Sequence, residues 1–247
     1  MTAILLAVAL LWTPAAGSDL HADYDALLST YVKDGLVDYD GWYAHKKSRR
    51  QLMDYVARLE STDPGALSRD EALAFWINLY NATTLRLILD NYPVESIKDL
   101  GGFLSSPWKK ELVTVDGEEL TLNEIENDII RPRFQDPRIH FALNCAAVSC
   151  PPLAPFAFTG AEISEQLDQV SQQALQDERF VRIERDGDEV RIHLTRLFDW
   201  YEDDWENVRE FLATYRPADR AVLLDEDAEL KYNDYSWKLN ALHARNP

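Results

Sequence analysis

The chain is poor in the residues that punctuate and staple small folds: nine Gly, eleven Pro and only two Cys. That scarcity excludes collagen-like, low-complexity and disulfide-dense scaffolds. Basic residues are also few, 25 Lys+Arg against 43 Asp+Glu, for a net charge of −18. A surface of that sign repels a phosphate backbone instead of displacing its counterions, so nucleic acid is not an expected partner. No uninterrupted apolar run reaches the roughly eighteen residues of a transmembrane helix, so no membrane span is expected. A glycine-rich phosphate loop, a nucleophile elbow and an HExxH zinc motif are all missing. Nucleotide hydrolysis, the common serine-hydrolase folds and zincin proteolysis therefore find no support.

What is present begins with an address. Residues 1–17 carry no charged side chain, and Ile4 to Trp12 is an apolar stretch of nine residues. It fits the h-region of a secretory signal, with Ala15 and Gly17 as the small residues before a cleavage site at Ser18. The alternative is a buried N-terminal strand. The signal reading implies an exported protein, periplasmic or extracellular, with residues 18–67 a helical extension and 68–247 the core of a single domain.

Hydrophobic spacing predicts helices over residues 22–33 and 46–60. Ser68 to Glu71 forms a capping box opening a third helix that runs to about Asn91, apolar almost all round from Ala72 to Tyr80 and therefore central. Two hairpins are expected, Val113 and Val115 against Leu120 and Leu122 across Asp116-Gly117, and Val181 and Ile183 against Val190, Ile192 and Leu194 across Asp186-Gly187. The alternation of Ile139, Phe141 and Leu143 with His140, Ala142 and Asn144 reads as a strand. Phe198, Tyr201, Trp205, Val208 and Leu212 read as one amphipathic helix, and Leu230 to Tyr235 as a last strand. The expected class is α+β, a buried central helix on an antiparallel or mixed sheet.

Chemistry concentrates in few places. Asn78 and Asn81 are neighbours on one face of the apolar helix. Buried amides demand partners, so they either tie the helix to a neighbour or floor a site. Of five His, His21 and His243 lie near the termini, His45 adjoins two Lys, and His193 falls on the polar face of its hairpin. His140 alone lies in an apolar segment, where it shares the predicted strand face with Ala142 and Asn144. It is read either as a hydrogen-bonded core residue or as a general acid or base.

Cys145 and Cys150 follow directly. They are read first as a disulfide closing a small loop, suited to an oxidising compartment, and second as a source of thiol nucleophile. In a strand Cys145 would stand about 16 Å from His140 on the opposite face, which makes Cys150 the better nucleophile. Two Cys and one convincing His leave a zinc site short of a ligand, so no metal is expected. The acidic, Trp-rich stretch 198–206 is read as a solvated helix face, and the segment from Tyr232 to Asn240 as a strand-to-turn element closing the core.

Four blocks, Phe75 to Ala82 with Trp76, Asn78 and Asn81, Ile139 to Pro151, Phe198 to Tyr201, and Tyr235 to Asn240, together resemble the domain-of-unknown-function family 547. The resemblance covers roughly residues 68–240. It implies a domain found in exported bacterial and in plant proteins, without an assigned reaction or cofactor. Family members often carry a His where this chain has Arg86. The residues support two functions: a binding or structural module with a polar cluster of Trp76, Asn78, Asn81, His140 and Asn144 near a disulfide, or a thiol- or His-dependent amide or ester hydrolase or acyl transferase acting through His140 and Cys150. No small-molecule, peptide or protein partner is named by the sequence.

Overall fold

Seventeen side chains of one helix disappear into the interior, and the rest of the chain is arranged around it. The computed structural model describes residues 20–102 and 106–243; the signal-like segment 1–17 lies outside them. Helices Ala22–Tyr31 (α1), Tyr39–Ala44 (α2) and Lys46–Glu60 (α3) precede the central helix Arg69–Asp90 (α4). Ser68 caps α4: its hydroxyl accepts from the Glu71 N–H, and the Glu71 carboxylate accepts the Ser68 N–H at 2.9 Å. Two free amide donors are thereby satisfied at the start of the helix. Gly160 lies so close to this start that a Cβ there would stand 2.8 Å from the Glu71 nitrogen.

Around α4 stand α2, α3, a π-helical stretch Ile125–Ile130 and helix Ile163–Gln176 (α5). Tyr24, Trp42 and Tyr55 from the N-terminal helices are fully buried in the same core. The β-structure is small. Val32–Lys33 (β1) pairs with Leu36–Val37 (β2), and Glu111–Val115 (β3) with Glu118–Thr121 (β4). Val181–Asp186 (β5), Glu189–Leu194 (β6) and Glu229–Tyr232 (β7) form a mixed sheet in that order, β7 parallel to β6. The architecture is α+β with small antiparallel and mixed sheets, and the principal neighbours of α4 are helices. Asp116 and Gly117 take positive φ of 57° and 81°, the pair of left-handed residues that a tight hairpin requires.

Three local expectations are corrected. Leu122 does not extend β4. Thr121 instead accepts from the Glu124 N–H at 3.1 Å and starts a helical turn that runs into the π-helical stretch.

The strand expected from Ile139 to Asn144 is a helical turn, Ile139–Ala142. Asp136 accepts the Arg138 N–H at 3.0 Å, and Pro137 pre-sets the backbone for a turn. All four residues of the turn are buried, so alternation carried no inside–outside meaning there.

The single helix expected over 198–212 is broken into a turn Leu197–Trp200, a 3₁₀ turn Glu202–Asp204 and helix Val208–Tyr215 (α6). Asn207 restarts the chain by capping α6 at 3.1 Å from the Glu210 nitrogen. The break lets Tyr201 reach Glu126 and Asp204 reach His140 and Arg131.

Candidate functional site

The amides of α4 are clamps on backbone. Asn78 donates to the Phe158 carbonyl at 2.7 Å and accepts the Phe158 N–H at 3.0 Å. Asn81 donates to the Ala142 carbonyl and accepts the Asn144 N–H, both at 2.9 Å. Each buried amide thus replaces a missing strand partner for an irregular segment. Asn144 does the same for the loop that follows, donating to the Pro151 carbonyl at 2.7 Å while accepting from the Ala146 N–H and the Asn240 amide. Trp76 is buried, and its indole N–H has no partner in the structure.

His140 turns to a different set of groups. Its Nε2 lies 2.7 Å from Asp204 Oδ2, and Arg131 grips the same carboxylate through Nε at 2.6 Å and Nη2 at 2.9 Å. Burial works to raise the pKa of Asp204, but the hydrogen bonds from His140 and Arg131 outweigh it and hold the carboxyl far below its usual range. An ionised Asp204 only accepts, so Nε2 of His140 is the donor of this hydrogen bond. The imidazole stacks on Tyr201 with ring centroids 4.0 Å apart, and the Arg131 guanidinium lies 4.9 Å from the same ring centroid.

Tyr201 leads from this cluster to a cavity of about 300 Å³. Its hydroxyl donates to Glu126 at 2.6 Å, and Tyr80 of α4 is buried within reach of the same charge. Glu126 is only 8% exposed and projects from the π-helical stretch, a distortion that re-aims side chains and recurs at functional positions. Burial first, and the Glu126 charge second, push the Tyr80, Tyr201 and Tyr235 phenols above their ordinary range. Trp108, Trp200, Tyr235 and Trp237 wall the cavity, and Asn123, Asn127 and His140 line it.

Cys145 and Cys150 are joined in a disulfide, and both line the cavity too. Ala146 at a positive φ of 59° helps turn the bridged loop. The Cys145 N–H points at Cys150 Sγ at 2.8 Å, and the Tyr235 hydroxyl lies 3.2 Å from Cys145 Sγ. The segment carrying Tyr235 and Trp237 is fastened to the loop through Val148 N–H to the Lys238 carbonyl and Asn240 N–H to the Ala146 carbonyl. The spacing argument that separated Cys145 from His140 lapses with the strand on which it rested.

Of the residues singled out from sequence, His140, Cys145 and Cys150 share this cavity, whereas Trp76, Asn78, Asn81 and Asn144 do not line it. Arg86 donates to the Leu112 carbonyl. Glu126, Tyr80, Tyr201 and Asp204 escaped sequence reasoning. The one available signal is Asn123, Asn127 and Arg131 at four-residue spacing, whose side chains hydrogen-bond in series. Among the described residues no three His, Cys, Asp or Glu side chains converge as metal ligands would.

No curated protein and no solved structure matches the chain. A family model described as "Protein of unknown function, DUF547" matches residues 64–173, which include Tyr80, Glu126, His140 and both Cys but stop short of Tyr201 and Asp204. Across the part that supplies the floor and the bridged rim of the cavity, the chain therefore resembles the DUF547 family.

Proposed function

We propose that this chain is an exported binding module that takes a small ligand in the cavity beside the Cys145–Cys150 bridge. The observation that carries the reading is Glu126: a buried carboxylate at an aromatic-walled cavity, held by the Tyr201 hydroxyl on a helical framework. A few fixed polar groups in a mostly apolar concavity are what small-molecule sites are built from. Export is supported by the signal-like residues 1–17 and by a disulfide, which persists in oxidising compartments. N-terminal sequencing of protein recovered outside the cytoplasm should begin at Ser18; recovery of the full-length chain from the cytoplasm would contradict export.

The binding reading is tested by following indole N–H resonances while a panel of small cationic, neutral and anionic compounds is titrated in. Binding at the cavity shifts Trp108, Trp200 and Trp237 saturably and leaves Trp42 and Trp76 in place. A panel that moves none of the three contradicts the reading.

A second reading, thiol-dependent amide or ester hydrolysis or acyl transfer, is favoured by one observation: His140, oriented by Asp204, shares its cavity with both sulfurs. It requires reduction of the bridge. Reduced protein that gains ester hydrolysis abolished by His140→Ala would establish it; reduced protein without such activity leaves binding as the function.

A further inference from the structure

We infer that the ligand of this cavity is a small organic ammonium ion, paired with Glu126 and set against the faces of Trp200, Tyr235 and Trp237. The inference rests on the binding reading above and adds the chemical class.

A buried carboxylate is costly unless a cation or several donors compensate it. Glu126 has the neutral Tyr201 hydroxyl as a donor, and among the described residues the lining of the cavity contains neither Lys nor Arg. Arg131, on the same helical run, spends its guanidinium on Asp204 and Asn127. His140 directs its Nε2–H to Asp204 as well. Arg131 lies near enough to feel the Glu126 charge, but its hydrogen bonds go elsewhere; among the described residues no cation hydrogen-bonds Glu126, and a direct ion-pair partner is what a ligand would bring.

The walls agree with that sign. Tyr235 and Trp237 have ring centroids 4.6 Å apart, Trp200 and Tyr235 4.8 Å, and Trp200 and Trp237 6.0 Å, a continuous π surface at the mouth. Aromatic faces carry negative quadrupole density and attract ammonium groups. This surface already holds one cation: Lys98 Nζ lies 4.1 Å from the Trp237 ring centroid. A net charge of −18 draws cations towards the molecule from solution and repels anions. A bare divalent metal is a poor fit, because among the described residues Glu126 is the one carboxylate in the lining, whereas hard-cation sites gather several. An ammonium on an apolar body satisfies both the carboxylate and the rings.

The test titrates the mature chain with benzylammonium, with its neutral counterpart benzyl alcohol, with benzoate and with methyl glucoside, reading the Trp108, Trp200 and Trp237 indole resonances. Benzylammonium should bind about tenfold or more tightly than benzyl alcohol, and benzoate should not bind. Glu126→Gln keeps the side-chain volume and should bring the cation-to-neutral ratio close to one. If Glu126→Gln does not fold, the ratio measured on the wild type decides. Equal binding of benzyl alcohol, a preference for methyl glucoside, or a cation preference retained in Glu126→Gln overturns the ammonium assignment and leaves a binding cavity. Failure of all four probes to move the three indoles overturns both.

Discussion

His140 and Asp204, 64 positions apart in the chain, meet through Nε2 and Oδ2 at 2.7 Å, and Arg131 closes on the same carboxylate from the other end of the cluster. The pair links the turn after Pro137 to the break after Tyr201. It also fixes the imidazole beside the cavity. Asp204→Asn removes the charge that both partners complement and should lower stability by about 1–3 kcal/mol, discounted because the side chain of Asp204 is a quarter exposed. Urea unfolding near neutral pH measures it; a change within about 0.5 kcal/mol would show the cluster to be energetically idle.

The same carboxyl sets an acid limit. Its folded pKa lies below its unfolded value, so its stabilisation is complete above about pH 4 and is lost as pH falls from there towards the folded value. Below about pH 4 the wild type should lose stability more steeply than Asp204→Asn. Parallel curves would contradict the assignment.

His21 acts in a separate window. Burial first, then the nearby Arg58 charge, lowers its pKa to about 4, and its Nδ1 lies 2.7 Å from the Tyr55 hydroxyl. The unfolded chain takes up this proton near pH 6.5 and the folded chain only near 4, so stability falls as pH drops through that interval, by about 2–3 kcal/mol in all. His21→Gln keeps a hydrogen-bonding group and should flatten the slope between those two pH values. An unchanged slope would mean that another group titrates there.

Asn81 holds the segment after His140 by two backbone bonds. Asn81→Ala strands a buried carbonyl and a buried N–H and should cost about 2–4 kcal/mol in thermal or urea unfolding, whereas Asn81→Asp keeps the acceptor for the Asn144 N–H. Equal tolerance of both variants would contradict the clamp.

Gly160 permits the close approach of its loop to the start of α4. Because backbone cannot yield as a flexible side chain does, Gly160→Ala should destabilise by about 1–3 kcal/mol. Gly117→Ala meets open space and bears only the strain of a positive φ, about 1 kcal/mol. The order of the two unfolding midpoints checks the assignment.

Elements with local chemical signals were legible in the sequence. The Ser68–Glu71 box, the all-round apolar face of α4 and the two Asp-Gly turns each fix structure within a few residues. The buried amides of α4 announced a need for partners, but their partners, Phe158 and the 142–144 backbone, are fixed only when distant segments meet. The turn at His140 misled because Ile, Phe and Leu alternate there by packing demand while Asp136-Pro137 sets the backbone. Asp204 was hidden within an acidic run indistinguishable from a solvated face, and Asn207 broke the expected helix in a way that spacing alone does not reveal. Glu126 carries no sequence signal of its burial; the π-helical stretch places it against Tyr201. Long-range topology, which periodicity does not encode, assembles the cavity.

A crystal structure of the protein soaked with benzylammonium tests the central claim most directly. The account predicts the ammonium nitrogen within hydrogen-bond reach of a Glu126 carboxylate oxygen and the ring against the Trp200, Tyr235 and Trp237 surface. A compound seated elsewhere, or an empty cavity in a crystal saturated with it, would contradict the account.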